Sequence, residues 1–166
     1  PPRGTYIPWN AQAVVFSKPS FFGLLLPVTV TGRVSDIWRS YITSRLLWEA
    51  NYHVSFTSPV VNQFRNPHSY MKDLDEEKDL YYKVDDLITT LSLWNSTAFL
   101  SLEEAYLDII TRLVTEEILG DADLHLAHAW CNDLKSLGYR WPDFSNRFES
   151  RVPRRKAVVD ERHIGL

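Results

Sequence analysis

Cysteine is almost absent from this chain. A single Cys131 in 166 residues excludes a disulfide framework within it. Long hydrophobic runs are missing as well. The most apolar stretch, FFGLLLPVTV at residues 21–30, is broken by Gly23 and Pro27 and falls short of the roughly 20 apolar residues a membrane helix needs. No signal-peptide pattern opens the chain. Positive charge is not in excess: the formal net charge is −3, which argues against a nucleic-acid partner. The phosphate loops GxxxxGK[ST] and GxGxxG, the HExxH helix and the CxxC pair do not occur. The first residue is Pro1 rather than Met, so a piece of a longer polypeptide is expected.

What is present is material for a core. Hydrophobic residues make up 45% of the chain and aromatics 13%, with six Trp. That is enough for one packed domain. The aromatic share suits either a core or a surface that stacks on sugars, with core packing the commoner use of any one Trp.

The two halves differ in texture. QAVVF (12–16) and LLLPVTV (24–30) are short apolar runs between turn residues, and YHVSFTSP (52–59) alternates until Pro59. These read as strands or buried extended segments. Between them the spacing of Ile37, Trp38, Tyr41, Ile42, Arg45, Leu46 and Glu49 predicts a helix, with Ser35 as its N-cap and Asp36 in its first turn. VVNQFRNPHSY (60–70) reads as an irregular loop.

Helical spacing dominates from residue 75 onward. Leu80, Val84, Leu87, Ile88 and Leu91 share one face. SLEEAYLDIITRLVTEEIL opens on a capping box, Ser101 with Glu104, and presents Leu102, Ala105, Tyr106, Ile109, Leu113 and Ile118. Gly120 is expected to end that helix and Gly138 the next. The fold class expected from this order is α/β, an edge of a Rossmann-like sheet within a larger domain, followed by an α-helical C-terminal part. The divisions are 1–74, 75–140 and a charged tail, 141–166, whose basic cluster Arg151 to Lys156 reads as solvated.

Chemistry-bearing residues are few. His125 and His128 stand three apart on a predicted helix, but no further donor completes a metal site, so helix-surface histidines are the simpler reading. Cys131 reads as a small buried hydrophobe. Asn95-Ser96-Thr97 forms an N-glycosylation triplet between two helices. Asp36 reads first as a helix-start carboxylate, paired with Arg33 or Arg39. His68 is a loop imidazole, either an ordinary polar residue or a metal ligand.

YIPWNAQAVVF, FGLLLPVTVTGRVSDIWRSYITSRLLWE, NPHSY and EEKDLY, in that order over roughly residues 3–95, resemble the C-terminal half of the STELLO-type glycosyltransferases. The resemblance implies a GT-A-like lumenal domain of a single-pass Golgi membrane protein that uses a nucleotide-sugar donor, a glycan acceptor and a divalent cation, Mn2+ or Mg2+. By motif order it places Asp36 as catalytic base and His68 as ligand to the cation on the donor diphosphate. Trp9 and Trp38 become stacking surfaces, Asn10 and Gln12 hydrogen-bonding partners for a sugar, and Arg33 either a salt-bridge residue or a phosphate contact. The carboxylate metal motif of such enzymes belongs to an N-terminal half, which these residues do not contain; DLD at 73–75 stands in the wrong place for it. The chain alone is therefore expected to be inactive. The rival expectation is a non-catalytic Golgi scaffold or trafficking protein on a degenerate transferase fold, its C-terminal helices binding protein partners.

Overall fold

A computed structural model describes residues 1–64, 67 and 69–144. Among these residues are six α-helices: α1 (Gly32–Glu49), α2 (Tyr70–Glu76), α3 (Lys78–Tyr82), α4 (Val84–Leu93), α5 (Leu102–Thr115) and α6 (Asp121–Ser136). Short 3₁₀ segments lie at Lys18–Leu24 and Ser96–Ala98. Among the described residues there is no strand, so the expected α/β sheet edge is corrected to a helical fold. Nor is any described helix long and apolar enough to cross a membrane.

The reason the strand reading fails is visible at residues 28 and 29. An apolar, β-branched run can pair with a strand or be tied down by side chains, and this one is tied down. Val28 N–H donates to Asp123 Oδ1 at 2.7 Å and Thr29 N–H to Asp123 Oδ2 at 3.3 Å. The Thr29 hydroxyl also donates to Asp123, and Gly120 N–H donates to Thr29 Oγ1 at 2.8 Å. The main-chain donors that a sheet would have used are spent on a carboxylate in the first turn of α6. QAVVF begins in a turn at Gln12 and Ala13 and is largely exposed, Val15 almost completely, so it is no core strand either.

α1 is the centre of the fold. Thirteen of its eighteen residues are buried, and they cover every face of the helix. Its small hydroxyls serve the chain that crosses it. Ser35 donates to Pro27 O at 2.5 Å, Thr43 to Gly23 O at 3.4 Å, and Ser40 accepts Trp9 N–H at 3.2 Å. The helix begins at Gly32 with Thr31 as N-cap, so Ser35 is not the cap. Asp36 therefore lies beyond the first turn, where the dipole gives it little support.

The two ends of α1 are fastened by arginines. At the start, Arg33 donates to Glu76 Oε2 at 3.0 Å and Glu77 Oε1 at 3.2 Å, and it pairs with Asp73. This holds α2 and binds the first carboxylate of the DLD triplet. At the far end Arg45 pairs with the buried Glu49, donates to Leu91 O at 3.0 Å and Trp94 O at 3.1 Å, and lies 4.7 Å over the Trp94 ring. Glu49 also accepts from Arg3 and from Ser96 Oγ at 2.8 Å.

The helical half follows its periodicity. Leu87 and Leu91 of α4, and Leu102, Ala105, Ile109 and Leu113 of α5, are at most 1% exposed. Each such Leu or Ile contributes roughly 1.5–3 kcal/mol by leaving water. The Ser101–Glu104 capping box is formed. α6 closes at Gly138, whose φ of 70° places it in the left-handed region. Gly138 N–H reaches Lys135 O, and Tyr139 N–H reaches Leu134 O, which is a Schellman ending. α5 ends differently from the expectation. It stops at Thr115, with Glu117 at φ 56°, and Gly120 instead precedes α6 as its N-cap.

Gly23 marks the closest approach of the 3₁₀ segment to α1. A Cβ there would stand 2.7 Å from Thr43 Oγ1 and 3.1 Å from Thr43 Cβ. Thr43 is buried and β-branched, so it has little freedom to yield. Gly23→Ala is therefore expected to lower stability by about 1–3 kcal/mol, the usual cost of overpacking. An unchanged urea midpoint would show that the segment can lift from α1.

Candidate functional site

The N-terminal arm lies along one side of α1. Two side chains one turn apart hold it: Ser40 Oγ takes Trp9 N–H, and Asp36 Oδ2 takes Ala11 N–H at 2.7 Å. Asn10 and Gln12 bond each other, Asn10 Nδ2 to Gln12 Oε1 and Gln12 N–H to Asn10 Oδ1, both at 3.2 Å. Beyond α1 the chain turns back at Asn51, φ 58°, with Tyr52 N–H on Leu47 O at 2.8 Å. Residues 52–63 then run out as a second extended segment.

Between the two extended segments is an open groove of about 940 Å³. Trp9, Asn10, Gln12 and Phe16 line one wall; Tyr52, His53, Val54 and Phe56 line the other. Aromatic faces and amide groups in one groove are the chemistry that takes up a sugar chain, by stacking and by hydrogen bonds to hydroxyls.

The residues singled out from the sequence are only partly brought together. Trp9, Asn10 and Gln12 share the groove. Asp36 does not line it but is joined to its wall through Ala11. Among the described residues only its Oδ2 is engaged. Arg33 is turned to the carboxylates of α2 and Glu77, which is the salt-bridge alternative rather than a phosphate contact. Trp38 is 0% exposed and offers no face to a sugar; it is core. His68 lies outside the described residues, as does the Arg151–Lys156 cluster. His125 and His128 are on the exposed side of α6. Burial pushes the Cys131 thiol up to about 12, with Glu103 adding to the effect, so it is no nucleophile.

The cation implied by the resemblance finds no donor set here. Among the described residues no three His, Cys, Asp or Glu side chains are placed to hold a metal. The acidic residues near Arg33 already face its guanidinium.

In the sequence Arg39 reads only as a partner for Asp36. It is 6% exposed, its guanidinium lies 5.2 Å from the Phe16 ring centre, and its Nε and Nη2 make no hydrogen bond to the protein. Those two donors form the side-on edge that suits a carboxylate or phosphate. Burial lowers its basicity, and Asp36 opposes that through space. No spacing rule marks such a residue, because the ring its guanidinium meets, Phe16, is far from it in the chain.

Comparison with known proteins now decides the family. The model of the STELLO glycosyltransferases matches residues 33–157. This chain belongs to the STELLO glycosyltransferase family. Two relatives from Arabidopsis thaliana, "Probable glycosyltransferase STELLO1" and "Probable glycosyltransferase STELLO2", are 35% and 32% identical to it over 141 residues. Those residues are 85% of this STELLO chain and 18% of each relative, so the chain spans less than a fifth of their length. No solved structure matches it. The family match takes in α1, with Asp36 and Arg39, and the 52–63 wall of the groove, but not Trp9, Asn10 or Gln12.

The unpartnered edge of Arg39 yields a stability test. A buried charge without hydrogen-bonded partners costs desolvation that packing does not return, so Arg39→Met is expected to leave stability unchanged or raise it by about 1–4 kcal/mol. A loss of roughly 3 kcal/mol or more in chemical denaturation would show that Arg39 has a partner in solution.

Proposed function

We propose that this chain forms the acceptor-binding side of a nucleotide-sugar-dependent glycosyltransferase of the Golgi lumen, carried by a membrane anchor outside these residues. The observation that carries the reading is the groove between residues 9–17 and 52–63, with Trp9, Tyr52 and Phe56 for stacking and Asn10 and Gln12 for hydroxyls, in a chain of glycosyltransferase family. Family membership supports sugar transfer; the donor class, the acceptor and the compartment are the proposal.

In this reading Asp36 is the general base. Its Oδ2 keeps the arm in place through Ala11, and its Oδ1 takes the proton of the attacking acceptor hydroxyl as that oxygen bonds to the anomeric carbon and the bond to the diphosphate breaks. Arg39, one turn on, supplies fixed positive charge behind the carboxylate. The donor, with the Mn2+ or Mg2+ that the resemblance associates with it, falls to parts of the longer family members that this chain does not cover. Among the described residues no group of His, Cys, Asp or Glu side chains forms a site for that cation.

The experiment is sugar transfer by the full-length protein. Asp36→Asn retains a carbonyl acceptor for Ala11 N–H while removing the base, so kcat should fall by about 10²–10⁴ with the fold intact. Trp9→Ala should raise the acceptor KM with a smaller effect on kcat. Full activity in Asp36→Asn would reduce Asp36 to a positioning residue. A folded protein with no transfer at all would favour the scaffold alternative.

A further inference from the structure

The sequence holds one N-x-S/T triplet, Asn95-Ser96-Thr97, and the glycosyltransferase reading makes no use of it. It sits in the link between α4 and α5, on the 3₁₀ segment Ser96–Ala98. The link is anchored on both sides of the asparagine. Trp94 is 3% exposed, donates its indole N–H to Asp108 Oδ2 at 2.7 Å and stacks on Phe99 with ring centres 5.8 Å apart. Ser96 Oγ donates to Glu49 Oε2 at 2.8 Å. Asn95 and Thr97, by contrast, are both exposed.

The local conformation has a second feature. Asn95 Oδ1 accepts Thr97 N–H at 3.0 Å, which folds the carboxamide toward the threonine. Among the described residues, Asn95 Nδ2 and the Thr97 hydroxyl have no protein partner. The reacting nitrogen and the hydroxyl that the transferring enzyme reads are therefore both accessible. The flanking Leu93 and Leu100 are 80% and 77% exposed, apolar surface that a bulky, solubilising sugar would shade.

We infer that Asn95 carries an N-linked glycan. The co-reactant is an oligosaccharide linked to a lipid diphosphate. A bond forms between Asn95 Nδ2 and the first sugar's anomeric carbon, and the bond from that carbon to the diphosphate oxygen breaks. Nδ2 gives up one proton, and the lipid diphosphate leaves. The inference stands independently of the groove, and it places the α4–α5 link on the lumenal side of a secretory membrane.

The test uses the full-length protein made in a eukaryotic cell. It is treated with peptide N-glycosidase in heavy-oxygen water, and the peptide containing residue 95 is read by mass spectrometry. Labelled aspartate at 95 is the expected result, with loss of one glycan's mass from the intact protein. Thr97→Ala should abolish the label and Thr97→Ser should keep it, because both leave the exposed link folded and only the second retains the hydroxyl. Unmodified Asn95 in folded protein, or a label that survives Thr97→Ala, would overturn the inference.

Discussion

The grip of one carboxylate on a stretch of main chain holds this fold together. Asp123, 4% exposed, takes the N–H groups of Val28 and Thr29 and the hydroxyl of Thr29. Main-chain donors are paired by strands, side chains or water, and among the described residues no strand lies beside this segment. A carboxylate offers several lone pairs at once, and charge-assisted bonds are the stronger kind. Because Asp123 belongs to the first turn of α6, the same contact joins the chain just before α1 to the α5–α6 corner. Gly120 completes it: a Cβ at that position would stand 2.9 Å from Thr29 Cγ2.

The character of α1 follows from that arrangement. A helix that faces other helices on one side can be amphipathic, but α1 is covered all round. On the arm side it meets carbonyl groups, so it presents Ser35 and Thr43 rather than leucine. At its C-terminal end the buried Glu49 is matched by Arg45 and Arg3 and by Ser96. Breaking such a set by removing one partner leaves an uncompensated charge, which is costlier than never having the pair. The tryptophans divide in the same way: Trp38 fills the core, while Trp9 is held at the groove by its main chain.

Much of the helical half was legible in the sequence because its signals are local. The capping box spans four residues, the α5 face repeats every three or four, and Gly138 stands where a left-handed residue is needed. The stretch from Tyr70 to Leu93 divides at Glu77 and Lys83 into three helices, a finer feature than apolar spacing reveals. The first half was misread because its governing contacts are distant in sequence. Asp123 lies 95 residues from Val28, and LLLPVTV looks the same whether a strand or a carboxylate awaits it. Asp36 reads as a first-turn carboxylate when Ser35 is taken for the cap; its place one turn inside α1 depends on Thr31 being the cap. The groove was only half legible: Trp9, Asn10 and Gln12 were marked, while Tyr52 and Phe56 read as strand residues.

The groove wall at residues 52–63 lies within the family match, and the opposite wall is tied to α1 through Ser40 and Asp36. The decisive measurement is a double-mutant cycle in chemical denaturation, with Asp123→Ala, Thr29→Val and the pair. If the carboxylate holds residues 28–29 as described, the two changes share one interaction, and the pair should cost less than the sum by about 1.5–3 kcal/mol, as for hydrogen bonds to a charged group. Additivity to within roughly 0.5 kcal/mol would contradict the account and leave residues 28–29 without their anchor.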